Sequence, residues 1–218
     1  MEKREYRILY QGGTGELVEK KSRFIASVAG IGQEQDALDF IAAKKKEYWD
    51  ARHNCYAFTL GDNHQLTRAS DDGEPAGTAG RPILDVLLRE EIHNAVIVVT
   101  RYFGGVLLGT GGLVRAYQGA AQAGLAASCI AVQKCGQLLT IHTDYTEFGR
   151  IRYVLEQEEI PILGTEYGQD VTISLCVETD RASTVSDLLT DKCGGRIRIE
   201  AGSEQRFIEM DHKILLSD

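Results

Sequence analysis

Hydrophobic positions in the first part of the chain switch between the spacing of a strand and the spacing of a helix. Alternation of apolar and polar residues predicts a strand hairpin over residues 16–30 and a second pair of strands over residues 53–60 and 65–69. Helical spacing predicts amphipathic helices over residues 33–49, 82–91 and 111–128. Between the last two helices, residues 94–100 form an unbroken apolar and β-branched run, which predicts a strand covered on both faces. Strands and helices in this order are typical of an α+β domain.

The hydrophobic pattern resets near residues 133–136, so we predict two domains, residues 1–134 and residues 135–218. The elements predicted for the second domain are a strand at 138–143, a helix at 147–157, strands at 160–167 and 171–177, a helix at 182–193 and a strand at 196–207. Asp144 and Asp180 each follow a threonine and precede a helix as plausible caps. This βαββαβ order predicts a ferredoxin-like fold. Since catalytic residue types do not cluster in this half, we expect a structural or protein-binding role for it.

Charge and cysteine content narrow the classes of function. The 218 residues carry 24 basic and 32 acidic side chains, a net charge of -8. This argues against non-specific nucleic-acid binding by the whole surface and leaves room for a local basic face. Five cysteines without a C-x-x-C pair are interpreted as buried thiols of a reducing cytoplasm: Cys55, Cys129, Cys135, Cys176 and Cys193. The first residues hold no apolar run that could serve as a signal peptide, and no stretch reaches membrane-spanning length, so we expect a cytoplasmic protein without a membrane partner.

Two segments dense in glycine and polar residues flank the predicted strand 94–100. The first segment, residues 70–82, holds three carboxylates within four positions: Asp71, Asp72 and Glu74. Such a cluster would suit a divalent metal or an acid–base pair, although no histidine falls inside it. We favour a different interpretation, in which the carboxylates pair with Arg81 or Arg101 and fix the loops. Pro82 suits the first turn of the helix that follows.

Candidate nucleophiles near the first segment have weak support. Ser70 lacks the context of a nucleophile elbow, and no histidine is near it in the sequence. His53 and Cys55 lie on one face of a predicted strand, as a catalytic pair would, but a packed strand is the favoured interpretation.

The second segment, residues 100–117, resembles a phosphate-binding loop only in part. Its residues of interest are Arg101, Tyr102, Gly104, Gly105, Gly109, Gly111, Gly112 and Arg115. A Walker A loop would require Lys and Ser or Thr where Thr110 and Gly111 stand, and Val114 occupies the third glycine position of a dinucleotide fingerprint. What remains is a glycine-rich helix start, whose free N–H groups favour an anion, with two arginines nearby. The alternative is that these glycines only let a helix pack on a sheet. Similarly, the lysines at 44–46 are interpreted as a solvated helix end, with the edge of an anion-binding surface as the alternative.

At these two segments the sequence resembles the IMPACT family, in its bacterial two-domain form. The matching motifs are residues 20–24, 53–57, 70–75, 80–84, 98–105 and 109–117. The resemblance implies an α+β amino-terminal domain similar to domain IV of elongation factor G, of the ribosomal-protein type. It also implies a ferredoxin-like carboxyl-terminal domain similar to other small domains of that factor. Eukaryotic relatives are linked to the control of translation under stress.

Three hypotheses of function follow. The first is a nucleic-acid- or ribosome-binding protein that modulates translation, with RNA, the ribosome or translation-related proteins as partners. Its binding face would include Arg68 together with Ser70, Asp72, Glu74, Arg81, Arg101, Tyr102, Gly104, Gly105, Gly109, Gly111, Gly112 and Arg115. The second is an enzyme in which Asp72, Glu74 and Arg101 act on a small anionic or nucleotide substrate, with or without Mg²⁺. The third is a protein-binding module. We favour the first and assign no catalytic residue, metal ligand or cofactor.

Overall fold

The computed structural model describes residues 5–210 and 213–217, and these residues divide into two compact units. The N-terminal unit is Tyr6–Ala131; the C-terminal unit runs from Val132 onward and includes Glu5. The protein is α+β, with helices packed on mainly antiparallel sheets. Among the described helices, none combines the length and the apolar character needed to cross a bilayer.

The N-terminal unit is built on a five-stranded antiparallel sheet. The described part of this unit has seven strands, of which five form this sheet. The seven are β1 (Glu5–Gln11), β2 (Thr14–Glu19), β3 (Ser22–Gly30), β4 (His53–Leu60), β5 (Leu66–Ser70), β6 (Ile92–His93) and β7 (Ala95–Tyr102). Its helices are α1 (Glu34–Glu47), α2 (Gly80–Arg89) and α3 (Thr110–Ala126). The sheet has the order β2-β3-β7-β4-β5, while β1 and β6 pair with each other in parallel.

The central strand β7 is covered on both faces, as its unbroken apolar run predicts. Ile97 and Val99 face the core formed with α2 and α3, and Val96 and Val98 face the core formed with α1. Helix α3 lies very close to the sheet because it carries small residues. A Cβ atom added to Gly124 would come within 2.7 Å of the Val28 side chain, so any larger residue would push α3 outward.

The C-terminal unit also combines one antiparallel sheet with helices. Its strands are β8 (Cys129–Thr143, of which the first three residues belong to the N-terminal unit), β9 (Ile162–Tyr167), β10 (Val171–Glu178), β11 (Arg198–Met210) and β12 (Lys213–Ser217). Its helices are α4 (Tyr145–Gln157) and α5 (Ala182–Lys192). The strand order is β9-β10-β8-β11-β12, and both helices contribute to one apolar core with the sheet.

Of the two helix caps predicted in this unit, one is confirmed. The Asp144 carboxylate accepts the N–H groups of Thr146 and Glu147, both at 2.8 Å, and so caps α4. The N-cap of α5 is Arg181 rather than Asp180, so the second predicted cap is wrong. The chain makes a turn after β10 that takes it one residue further before the helix begins.

Candidate functional site

Asp71, in the loop between β5 and α2, caps helix α2 with its carboxylate. One carboxylate oxygen accepts the N–H groups of Ala79 at 2.9 Å and Gly80 at 2.8 Å, and the other accepts the N–H of Gly77 at 2.8 Å. Partial burial pushes the pKa of Asp71 upward, but the three N–H donors outweigh it and hold the pKa below its usual range. Asp71 therefore fills the anion-binding position at the start of α2 itself.

Asp72 ties the same loop to β4 and α1. Its backbone is in the left-handed region, with φ of 41°, and its carboxylate accepts the backbone N–H of Asn54 at 2.7 Å. The other carboxylate oxygen lies 2.6 Å from Nζ of Lys45. Ser70 Oγ accepts the N–H of Asp72 at 3.2 Å, and Nδ1 of His53 lies 2.9 Å from the Asp72 carbonyl oxygen. Ser70 and Asp72 thus position the loop. Lys45, which was interpreted as part of a solvated helix end, is instead paired with the Asp72 carboxylate.

Glu74 joins the first glycine-rich segment to the second. Its Oε1 lies 2.6 Å from Nη1 of Arg101 and accepts the hydroxyl of Tyr117 at 2.8 Å. The Glu74 and Arg101 side chains are only 4% and 7% exposed. The predicted pairing of a carboxylate with Arg101 is therefore confirmed. Arg81 instead pairs with Asp85, one turn further along α2.

Cys55 is a packed core residue, as the favoured interpretation predicts. Its Sγ lies 2.9 Å from the Asp71 carbonyl oxygen and 3.3 Å from the Tyr117 hydroxyl. Burial raises the pKa of the Cys55 thiol to about 12, which keeps it protonated at neutral pH and unsuited to nucleophilic attack. Cys176 and Cys193 are buried as well, whereas Cys129 and Cys135 are half-buried, so the prediction of five buried thiols is wrong for those two.

The described residues contain no group of three or more His, Cys, Asp or Glu side chains arranged to hold a metal ion. The three carboxylates of the first segment are close in sequence, but each has different protein partners. Three separate sets of contacts explain why the cluster does not form one hard-oxygen site.

The second segment forms the loop 103–109 and the start of α3, and it lies against the turn between β2 and β3. The N–H of Gly104 donates to Ser22 Oγ at 3.1 Å, and a Cβ atom on Gly104 would collide with the Lys21 backbone. Gly109 precedes α3 with a φ of 71°, which favours glycine. Close packing or a positive φ therefore accounts for these two glycines.

Gly111 has neither of these reasons to be glycine. Its φ is not positive, and a Cβ atom there would meet nothing closer than Nη1 of Arg115 at 3.8 Å. The first turn of α3 also carries no acidic residue. The N-cap of α3 makes no side-chain hydrogen bond, so no side chain caps its first N–H groups, and the packing alternative does not account for Gly111.

A groove of about 340 Å³ lies beside the start of α3, and we call it the basic groove. It is lined by Leu17, Glu19, Lys20, Leu108, Gly112 and Arg115. Lys20 and Arg115 are exposed, and neither is ion-paired with a carboxylate in the described part of the chain. On the adjoining loop, Phe103 is 54% exposed and Leu107 is 83% exposed. The groove therefore combines two available cations and one carboxylate, that of Glu19, with apolar surface.

The predicted binding residues fall into three groups. The first group lies in the loop and helix start at the basic groove and comprises Gly104, Gly105, Gly109, Gly111, Gly112 and Arg115. The second group forms the contacts that hold the loops and comprises Ser70, Asp72, Glu74 and Arg101. The third group bonds to residues of α1, of α2 and of the segment after α1, and comprises Arg68, Arg81 and Tyr102. Arg68 pairs with Glu34, and the Tyr102 hydroxyl donates to Asp50. Neither residue therefore joins Arg115 in one face.

The prediction omitted Lys20, Phe103 and Leu107 from the binding residues. The signal for Lys20 was its place in a basic turn. For the two apolar residues, sequence offers little, because exposure depends on the path of the loop.

Both segments fall inside a region shared with known proteins. Residues 20–125 match the Impact N-terminal domain, and residues 141–196 match a domain of unknown function, DUF1949. The chain is 36% identical over 204 residues to IMPACT family member YvyE of Bacillus subtilis, covering 94% of each chain. The chain belongs to the IMPACT family. It is also similar to IMPACT family member YigZ of Escherichia coli, at 35% identity over 85% of this chain and 92% of that protein.

More distant IMPACT relatives share only part of the chain. Protein IMPACT of Mus musculus is 31% identical over 98 residues, which is 43% of this chain and 30% of that protein. A solved structure, described as the crystal structure of an hypothetical protein, matches with a TM-score of 0.58 and 32% identity. It covers 92% of this chain and 98% of the solved one. The family and its two-domain composition are thereby established for this chain.

Proposed function

We propose that this IMPACT family member binds RNA through the basic groove and modulates translation at the ribosome. The observation that carries the proposal is the position of Lys20 and Arg115 in one groove, beside a helix start with no acidic residue. Phosphate groups suit such a place because backbone N–H groups and side-chain cations act on the same anion.

The net charge of -8 fits this local mode of binding. A protein with this charge repels nucleic acid over much of its surface, so contacts with phosphate are confined to the groove. We expect about three neutralised phosphates, which gives a slope of about -2 for log affinity against log salt concentration on a single strand. Binding should therefore be weak and salt-dependent when tested away from the ribosome.

The architecture supports the same proposal. The C-terminal unit has the βαββαβ order, and its strands β11-β8-β10-β9 stand in the sheet order expected of a ferredoxin-like fold. We propose that fold for it, and a fold like domain IV of elongation factor G for the N-terminal unit. Both would be ribosome-facing folds, although fold analogy alone does not fix function.

The enzymatic hypothesis finds less support. Asp72 is engaged with Lys45 and the Asn54 N–H, and Glu74 and Arg101 are buried against each other. These contacts favour a role in holding the loops over a role in chemistry on a substrate.

The proposal is tested by measuring RNA affinity and ribosome co-sedimentation for the purified protein over a range of salt. A fluorescent single-stranded RNA serves as the probe, from about 50 mM to about 200 mM KCl, over which we expect affinity to fall roughly tenfold or more. Lys20→Glu/Arg115→Glu should weaken binding by at least about tenfold, because both groove cations are reversed. Arg89→Glu is the matched control, since Arg89 is an exposed cation in the last turn of α2, far along the helix from the Asp71 cap.

A further variant separates a ligand contact from helix packing. Gly111→Ala adds a methyl group where there is space and raises helix propensity, so thermal stability should stay equal or increase. RNA affinity should nevertheless fall, because the methyl group keeps phosphate away from the backbone. The proposal is wrong if the wild-type protein shows no salt-sensitive binding to RNA or ribosomes, or if Arg89→Glu loses as much affinity as the groove variant.

A further inference from the structure

Arg101 lies between two aromatic rings at the end of β7. Its guanidinium carbon is 5.4 Å from the ring centroid of Phe24 and 5.6 Å from that of Phe103. Phe24 is fully buried and meets the ring of Tyr117 edge-on at 5.1 Å. From the core outward, the order is therefore Tyr117, Phe24, Arg101 and Phe103. Phe103 is the layer that reaches solvent.

The layers beneath Phe103 are held in place by hydrogen bonds. Glu74 fixes the guanidinium from one side, and Tyr117 fixes Glu74. Nε of Arg101 is buried and has no hydrogen-bond partner in the described part of the chain. Satisfaction of its own hydrogen bonds thus does not fully explain why the guanidinium sits there. The two rings add to the ion pair with Glu74, because a cation within about 6 Å of an aromatic face is attracted to it.

We propose that the exposed side of Phe103 stacks a base of single-stranded RNA, next to the phosphate held in the basic groove. This inference rests on the proposed function and adds the strandedness of the ligand. Phe103 belongs to the same loop as Leu108, which lines the groove, and its neighbour Gly104 lies against the Lys20–Lys21 turn. An aromatic platform beside a basic groove is the arrangement by which proteins bind single strands without reading their sequence.

Duplex RNA does not suit this platform. In a duplex the faces of the bases are covered by their neighbours, so a ring at the surface meets phosphates, sugars and base edges but no base face. An acidic peptide would satisfy the cations but offers no planar face to Phe103. A single strand supplies both the phosphate and the exposed base.

The experiment uses full-length protein and a single-stranded RNA of about twelve nucleotides with one 2-aminopurine, whose fluorescence falls when it stacks on an aromatic ring. Phe103→Leu keeps apolar bulk and removes the ring. We expect this variant to lose roughly tenfold in affinity and to lose the fluorescence change, with the salt dependence kept. Phe103→Tyr should retain both because it keeps the ring, and an unchanged thermal unfolding midpoint of Phe103→Leu would show that its loss of affinity is not misfolding. Tyr10→Leu removes an exposed aromatic ring from β1, outside the groove, and is the matched control that should bind as the wild type does.

The same RNA annealed to its complement should bind about tenfold more weakly than the single strand. The inference is overturned if duplex and single strand bind equally, if Phe103→Leu binds as the wild type does, or if an acidic peptide competes as well as RNA. In those cases salt-sensitive binding that depends on Lys20 and Arg115 would leave the proposed function standing. Absence of any RNA binding by the wild-type protein would remove both.

Discussion

Glu74 and Arg101 form an ion pair in a place that water scarcely reaches, so each charge depends on the other. Removing one partner from a buried pair leaves an uncompensated charge, which typically costs about 3–5 kcal/mol. Arg81 and Asp85 offer the contrast within the same unit: they also pair, at 2.8 Å, but their side chains are 67% and 34% exposed. Exposed pairs one helical turn apart contribute about 0.3–0.5 kcal/mol.

At the scale of these residues, we predict that Arg101→Met lowers the free energy of unfolding by about 3–5 kcal/mol, because it strands the Glu74 carboxylate. Arg81→Met should lower it by less than about 1 kcal/mol. Urea unfolding followed by circular dichroism measures both. The double variant Arg101→Met/Glu74→Gln should recover part of the loss. Equal costs for the two single variants would contradict the buried pair.

At the start of helix α2 the Asp71 carboxylate accepts hydrogen bonds from three N–H groups. The stability of the helix therefore depends on a residue outside it. The folded pKa of Asp71 lies below its unfolded value, because the N–H donors outweigh the effect of burial. Stability from this group is therefore complete above the ordinary carboxyl pKa of about 4. It is lost as pH falls through the lower folded pKa, where the carboxylate is protonated.

For this element we predict that Asp71→Asn costs about 1 kcal/mol of unfolding free energy at pH 7, since the amide keeps one acceptor oxygen and loses the charge. The difference between wild type and variant should shrink as pH is lowered from about 5 to about 3. Urea titrations at several pH values provide the measurement. Asp85→Asn is the control, because Asp85 lies on the same helix but does not bind the N–H groups that Asp71 accepts. A difference that grows toward acid pH would contradict the cap.

Elements with a strong period were predictable from the sequence, and short or irregular ones were not. Strand β7 was clear because residues 95–100 are apolar or β-branched without interruption, which suits a strand covered on both faces. Strand β1 was missed because its buried residues, Tyr6 and Leu9, are three apart and break the alternation. Strand β6 has only two residues, too few for any period.

For the candidate site, the sequence indicated which types of residue would interact but not where the fold would place them. Opposite charges in the two segments indicated that they would pair, and Glu74 and Arg101 do. Sequence did not distinguish Arg101 from Arg81, because the choice depends on where β7 ends relative to the loop before α2. The exposure of Phe103 depends on the same tertiary arrangement.

Across the whole molecule, the candidate site comes from one of the two compact units. Every residue that lines the basic groove or forms the aromatic layers lies between residues 17 and 119, inside the N-terminal unit. The two units have separate apolar cores, in which Ile97 and Ile173 are both fully buried. A small cavity in the core of either unit should thus lower the local stability mainly of that unit.

We therefore predict different effects for two matched variants, Ile173→Val in the C-terminal core and Ile97→Val in the N-terminal core. Each removes one buried methylene and should cost about 0.5–1.5 kcal/mol. In amide hydrogen exchange followed by mass spectrometry, Ile173→Val should reduce protection in peptides from residues 132–217, and Ile97→Val in peptides from residues 6–131. RNA affinity of Ile173→Val should equal that of the wild type, because no residue of its unit contributes to the groove. A loss of affinity in that variant, without a change of protection in the N-terminal unit, would mean that the C-terminal unit itself contacts the RNA.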